Sequence, residues 1–247
     1  MSLPNRQARK SELSVLRVLY EDNHLLGVFK PAGVLVQGDR TRDVTLLEMA
    51  KAYIKEKYGK PGNVYLGLVH RLDRPVSGVM LYARTSKAAS RLTAEFAGRR
   101  VEKVYFAIVV GAPSENEGEL VSYIERVRLR ARIATLEADG AKEAALSYRV
   151  LARRSGLALM EIHPRTGRHH QVRLQLAEMG HPIVGDIKYG APGVLEGRTI
   201  GLHAGVLVVK HPTKDEYVRL AAPPPSVHPW TVFASAIEGR FKSAGGI

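Results

Sequence analysis

Between Val64 and Tyr82 the chain reads VYLGLVHRLDRPVSGVMLY, and the change of character inside this stretch constrains the fold more than any other feature. The apolar run from Val64 to Val69 stops at His70-Arg71-Leu72-Asp73, and a second run, Val79 to Tyr82, begins after Ser77-Gly78. Two core strands joined by a charged loop are the expected result. A rigid pair of strands can hold an aspartate beside an arginine at the rim of a cleft, where loops carry chemistry. Asp73 is therefore the candidate reactive carboxylate. For this stretch alone, a capped turn with a surface ion pair is the alternative.

Charge narrows the function classes. A net charge of +13 on 247 residues is more than a globular enzyme of small neutral substrates requires, and it points to a polyanion. Nucleic acid leads, because no basic amphipathic helix with bulky apolar anchors suggests a membrane surface. The chain contains no cysteine, which excludes disulfides and thiolate metal sites and fits a reducing compartment, so a cytoplasmic location is expected. No apolar stretch is long enough to span a bilayer, and residues 1–14 read as a basic tail rather than a signal peptide. No P-loop and no dinucleotide fingerprint occurs, so no cofactor is expected.

Along the chain, strands are expected at Val15 to Tyr20 and Leu25 to Phe29. Lys30-Pro31-Ala32-Gly33 follows as a sharp turn presenting Lys30. An amphipathic helix over 44–57 has Thr45 available as its cap, and a second, from Ser86 as cap to about Ala97, carries a basic outer face. In residues 102–111, alternation places Tyr105 on the same strand face as Lys103, as a ring facing a cleft or as a core tyrosine. Residues 126–133, RVRLRARI, alternate strictly, so Arg126, Arg128, Arg130 and Arg132 are expected on one face of one strand. Such a ladder suits phosphate contacts; a charged edge strand is the competing reading. Further strands are expected at Ala145 to Leu151, Leu157 to Ile162, Leu202 to Lys210 and Tyr217 to Leu220. A helix leading to Met179 and closed by Gly180 buries Val172 and Leu176, with Arg173 beside them as a cation in need of a carboxylate. His169 and His170 are adjacent, and on a helix they would diverge by about 100°, so no metal site is expected. A last amphipathic helix around Trp230 to Ile237 is expected as a cap.

Taken in order and spacing, Lys30-Pro31-Ala32-Gly33, His70-Arg71-Leu72-Asp73 with Ser77-Gly78, Lys103-Val104-Tyr105, Thr166-Gly167-Arg168 with His170-Gln171-Val172-Arg173, and Gly185-Asp186 with Tyr189-Gly190 resemble the RluA-type RNA pseudouridine synthases. These enzymes isomerise uridine in RNA, and the resemblance runs from about Val18 to Pro225. It implies an α+β fold with a mixed, largely antiparallel sheet, flanking helices and a central cleft, in one catalytic domain over 15–238 with a tail at 239–247. It further implies Asp73 as nucleophile, Tyr105 as the ring beneath the target uracil and the proton acceptor at C5, and Arg173 as the partner of Asp73. Arg71 resembles the arginine that fills the gap left by a flipped base. His70, Lys30, Lys103, Arg168 and the four arginines from Arg126 to Arg132 are the remaining expected RNA contacts. A carboxylate can act as a covalent nucleophile, and a neighbouring arginine favours its charged form.

The expected partner is ribosomal or transfer RNA, bound by a monomer that lacks the RNA-binding module many relatives carry ahead of the catalytic domain. Val76, His169, Gln175, Phe29 and Gln37 depart from the family pattern and bear on substrate choice. Two rivals stand beside this reading. A non-catalytic RNA-binding relative would lose Asp73 or Tyr105, and a glycosidase-like hydrolase would need a second carboxylate facing Asp73 across a sugar.

Overall fold

The computed structural model describes residues 16–39 and 41–243, and the expected tail at 1–14 lies outside them. Alternating apolar residues build most of the elements. Strands β1 (Val18–Glu21) and β2 (Leu25–Lys30) form a hairpin, and helix α1 (Leu46–Lys57) follows. Thr45 caps α1 as expected: its hydroxyl accepts from Glu48 N at 3.2 Å while the Glu48 carboxylate accepts from Thr45 N at 2.8 Å. Leu46, Ala50 and Ile54 form the buried stripe of that helix.

Of the run Val64 to Val69, only β3 (Gly67–Leu68) pairs, and it pairs with β4 (Ser77–Ala83), whose residues are all buried. Helix α2 (Ser86–Ala97) is capped by Thr85 rather than Ser86, its hydroxyl accepting from Ala88 N. Then come β5 (Glu102–Val110), β6 (Glu117–Val127), β7 (Arg130–Ala134), β8 (Lys142–Arg154), β9 (Leu157–Pro164) and helix α3 (Gln171–Glu178). The chain continues through β10 (Leu202–Lys210), β11 (Tyr217–Ala221) and helix α4 (Ala234–Ser243). The C-terminal boundary expected at 238 is corrected, because α4 runs on to Ser243. Arg240 pairs with Glu161, and the Phe241 ring lies 5.3 Å from that of Phe106.

The strands form one sheet in the order β1-β2-β4-β10-β5-β9-β8-β6-β7, with β3 on β4 and β11 on β10. The β4–β10 contact is parallel and the other described pairings are antiparallel. Both faces of its centre are covered, which the two-residue period records directly. In β4, Met80 and Tyr82 join the cluster under α1 and α3, while Val79 and Leu81 join the one under α2. In β5, Ala107 and Val109 face α3, while Phe106 and Ile108 face Trp230, Phe233 and Ile237. The parallel seam depends on Gly78, whose φ is 135° and where a Cβ would lie 2.3 Å from Ala204 O. Beside it Ser77 Oγ and His203 Nδ1 are 2.8 Å apart, both buried, and His203 Nε2 meets Ala222 O. This seam lies directly behind the loop that carries Asp73.

Candidate active site

The loop between β3 and β4 is clamped from several sides. Leu72 and Val76 are buried, and Val76 N donates to Asp73 O at 3.1 Å, closing a turn at Asp73. His70 anchors the loop from behind: Nε2 accepts from Leu81 N at 2.9 Å and the ring stacks on Phe96 at 4.8 Å. Burial lowers its pKa to about 3, so it is a neutral strut; it lines the cleft, but its polar nitrogen is committed to the sheet. From below, Gly33 N and Lys30 Nζ both donate to Arg74 O, at 2.7 and 3.2 Å, and Lys30 Nζ also donates to Pro31 O. Lys30 is fully buried and burial pulls its pKa to about 7. The expectation of Lys30 as an RNA contact is therefore corrected. Its ammonium satisfies backbone carbonyls under the loop instead of facing solvent.

Asp73 meets Arg173 across the cleft. Arg173 Nη1 donates to Asp73 Oδ2 at 2.8 Å, while Nε and Nη2 donate to the two carboxylate oxygens of Asp186 at 2.7 and 2.8 Å. The Tyr189 ring covers the guanidinium at 5.2 Å. Burial opposes the charge of Arg173, but the bonds to Asp186 and Asp73 outweigh it and raise its pKa. Among the described residues no hydrogen bond reaches Asp73 Oδ1, and the side chain is 29 % exposed. One oxygen of the carboxylate is thus held, and the other has no hydrogen bond among the described residues.

Tyr105, from β5, lines the same cleft with Asp73 and Lys103, on the shared strand face that alternation indicated. Burial, and after it the charge of Asp73, raises the Tyr105 pKa, which keeps the phenol protonated. Lys103 Nζ donates to Thr166 O at 3.2 Å. The opposite wall is a loop folded around Gln171, whose Oε1 accepts from Thr166 Oγ1 at 2.6 Å and from Arg168 N at 3.0 Å, and whose Nε2 donates to Ala145 O. Arg168 lines the wall with its Nε on Glu143 O. Beside this inner pocket a wider, solvent-open part of the cleft shares Arg71, Asp73, Lys103, Tyr105 and Arg168 with it. Seven basic side chains line the wider part (Arg71, Arg74, Arg99, Lys103, Arg126, Arg165 and Arg168), with Asp73 the single acid among the lining residues. Arg71 is exposed at the mouth.

The arginine ladder is corrected. The chain reverses at Arg128-Leu129, so Val127 pairs with Arg130 and Arg126 with Ala131. Arg126 shares the inner face with buried Ala131 and lines the cleft, whereas Arg130 and Arg132 face outward, Arg132 paired with Glu125. Arg128 itself supplies the turn with φ 54°, a task usually given to Gly or Asn, so no turn residue marked the reversal. Of the departures from the family pattern, Val76, His169 and Gln37 line the cleft. Phe29 lies under Arg17 at 5.3 Å, and Gln175 donates to Leu120 O, Ser122 Oγ and Ala144 O, tying α3 to the sheet away from the site.

Asp186, Tyr189 and His170 had no assigned role from sequence. The missed signal is the donor count of Arg173: a buried guanidinium has five N–H groups, more than Asp73 can accept. Asp186 does not face Asp73 across a sugar-sized gap. It lies beyond the guanidinium and is 2 % exposed, which removes the geometry a hydrolase would need. His169 and His170 precede α3, with His170 at φ 55° and the two rings stacked at 3.8 Å, so the expected divergence on a helix does not apply. Their nitrogens and an Asp73 carboxylate oxygen lie within 4.8 Å of one another, with Arg173 and Lys188 as neighbouring cations acting on His170.

No helix among the described residues is long and apolar enough to cross a membrane. Residues 24–178 match the family model described as RNA pseudouridylate synthase. The chain is 36% identical over 224 residues to ribosomal large subunit pseudouridine synthase D of Xylella fastidiosa, covering 85% of this chain and 66% of that protein. It is 33% identical over 208 residues to ribosomal large subunit pseudouridine synthase C of Rickettsia prowazekii, covering 83% and 67%. The chain thus spans about two thirds of the length of these relatives. Human RNA Pseudouridylate Synthase Domain Containing 4 superposes with a TM-score of 0.72 at 26% identity, over 90% of this chain and 92% of that one. Motif order, sheet topology and the match over 24–178 agree, and the chain belongs to the RluA-type RNA pseudouridine synthase family.

Proposed function

We propose that the protein isomerises specific uridines to pseudouridine in structured RNA, with Asp73 as the nucleophile. The observation that carries this is the divided carboxylate: Oδ2 is fixed by Arg173, while Oδ1 has no hydrogen bond among the described residues, in a cleft that Tyr105 also lines. A uridine extruded from its stem would place its base on the Tyr105 ring, and Arg71, exposed and lining the same cleft, would fill the space the base leaves. Asp73 Oδ1 then forms a bond to the sugar or the base while the C1′–N1 bond breaks. The uracil turns, C5 bonds to C1′ and the carboxylate is released. The C5 hydrogen leaves as a proton and N1 gains one, so the product is an isomer. As proton acceptor, Tyr105 would have to give up its own phenolic hydrogen, because burial holds it protonated. Tyr105→Phe keeps the ring and removes the oxygen, and so separates the two roles.

The seven basic side chains of the cleft, together with Arg128, Arg130 and Arg132 on the neighbouring hairpin, supply phosphate contacts. Ribosomal or transfer RNA is the proposed substrate, with ribosomal RNA placed first because the matched relatives from Xylella and Rickettsia carry ribosomal large subunit in their names. A monomeric, cytoplasmic, cofactor-independent enzyme fits this reading. Release of tritium from RNA labelled at uridine C5 tests it, comparing wild type with Asp73→Asn on ribosomal and transfer RNA pools. Release by the wild type alone is expected. An active Asp73→Asn variant would remove Asp73 from the mechanism, and a wild type that binds both pools but releases nothing would favour a non-catalytic RNA-binding protein.

A further inference from the structure

A single bond from Arg173 still permits the Asp73 carboxylate to rotate about it. Tyr189, His170 and Asp73 form a line that answers this. Ala131 N donates to Tyr189 Oη at 3.0 Å, and Tyr189 Oη is 2.7 Å from His170 Nδ1. With one side of the phenol oxygen taken by Ala131, the hydroxyl hydrogen has His170 Nδ1 as its acceptor among the described residues. A neutral imidazole that accepts at Nδ1 carries its hydrogen on Nε2. His170 Nε2 is 3.3 Å from Asp73 Oδ2, the oxygen already held by Arg173, and the histidine side chain is 6 % exposed.

We propose that His170 is a positioning residue, fixed in one tautomer by Tyr189, which presents its Nε2–H to Asp73 Oδ2 and thereby leaves Oδ1 as the attacking oxygen. The inference rests on Asp73 being the nucleophile. In this structure Arg173 makes the hydrogen bond to Oδ2, and the 3.3 Å approach of Nε2 has room to shorten into a second one when RNA closes the cleft, as catalytic hydrogen bonds do; two donors on one oxygen then set both the position and the plane of the carboxylate. The backbone agrees. His170 occupies the left-handed region at φ 55°, which few residue types adopt, and this turn points the ring back from the start of α3 toward Asp73. The groups facing it are Asp73, Arg173, His169, Lys188 and Tyr189, so the ring lies among cations. Burial, against the pull of Asp73, keeps it neutral. A neutral donor orients the carboxylate without adding a second positive charge to it. Because Ala131 belongs to the arginine hairpin, the same line connects a proposed RNA contact to the nucleophile.

The test uses the full chain, total ribosomal and transfer RNA tritiated at uridine C5, single-turnover release, filter binding of the same RNA, and ¹⁵N resonances of the histidine rings. His170→Ala is expected to slow release roughly 10- to 100-fold, the effect of one hydrogen bond to a charged group, with RNA affinity retained. His170→Gln, which keeps a donor near the Nε2 position, is expected to recover most of the rate. Tyr189→Phe keeps the ring over Arg173 and is expected to mix the His170 tautomers. In the wild type His170 is expected to show an unprotonated Nδ1 and a protonated Nε2. The opposite tautomer, or an imidazolium at neutral pH, overturns the proposal whatever the activity, as does a wild-type rate in His170→Ala when Asp73→Asn is inactive. Where His170→Ala fails to fold, Tyr189→Phe with an unchanged rate and an unchanged tautomer overturns it. An active Asp73→Asn variant, or a wild type without release, overturns this inference together with the nucleophile assignment.

Discussion

Replacing Asp186 by Asn changes one atom in the residue that holds Arg173 from behind. Arg173 and Asp186 are 6 % and 2 % exposed, and two bonds of 2.7 and 2.8 Å join them. The amide retains one acceptor for the guanidinium but turns an NH₂ group toward the other N–H and removes the charge. Breaking a buried ion pair costs about 3–5 kcal/mol. Here Asp73 and the Tyr189 ring still compensate the guanidinium, so the lower end, about 3 kcal/mol, is expected. For a chain of this length that corresponds to a fall in Tm of roughly 6–12 °C. Urea titration at neutral pH should show the same loss through its midpoint with an unchanged slope. Release of tritium should fall by roughly 10- to 100-fold, because Arg173 loses the fixed position from which it holds Asp73. Arg173→Lys provides the comparison: one ammonium cannot span both carboxylates, so it should lose both stability and rate. A Tm of Asp186→Asn within about 2 °C of wild type, less than 1 kcal/mol for this size, together with normal turnover, would refute the idea that Asp186 supports the site.

Gly78→Ala should destabilise the protein by more than about 4 kcal/mol, because the new Cβ meets Ala204 O at 2.3 Å and Ala204 N at 2.6 Å, backbone that cannot withdraw without opening the seam; a soluble variant with wild-type melting would contradict this. Acid should weaken the fold through His70 and His203, whose pKa values burial lowers to about 3 and about 4. Unfolded histidine takes up its proton near pH 6.5 while these two stay neutral, so stability is complete above that value. It falls by up to about 1.4 kcal/mol per pH unit for each histidine as the pH drops toward 4. Chemical denaturation at pH 7 and pH 4.5 checks the sign, and equal stabilities would exclude it. Replacing Arg126, Arg128 and Arg130 together by Ala should lower the slope of log affinity for RNA against log salt by about 2–3 while leaving Tm unchanged; an unchanged slope would remove the hairpin from the RNA interface.

The sequence made the sheet legible where each strand is buried on both faces or alternates cleanly, as in β2, β5 and β10. The pairing of Asp73 with Arg173 was implied by the family resemblance, whereas the residues alone marked Arg173 only as a cation in need of a carboxylate. The misses have physical causes. RVRLRARI has a strand period on both sides of its turn, so alternation continues across Arg128-Leu129 and hides the reversal. Lys30 reads as an exposed cation because turn chemistry describes the backbone and says nothing of what covers it. Here the next charged loop lies over it and lends it the Arg74 carbonyl. The first strand-like run pairs only at Gly67–Leu68, on the edge of β4 opposite β2, because farther along that edge Leu81 N donates to His70 Nε2 and Ser77 and Gly78 pair with β10.

The charges in the cleft present a conflict that the site geometry resolves. An anionic nucleophile must approach an anionic polymer, so cations are needed, yet cations placed on the nucleophile would weaken it. The lining separates the two needs in space. Arg99 and Arg126 line only the wider part of the cleft, where the proposed phosphate contacts lie, whereas Asp73 itself receives one guanidinium, and that guanidinium is shared with Asp186. Two carboxylates share one guanidinium, so Arg173 orients Asp73 while part of its charge is answered by Asp186. The neutral His170 continues the same arrangement. Removing Asp186 would therefore give Asp73 an undivided counter-charge as well as a loose one, and the loss of rate would come from both.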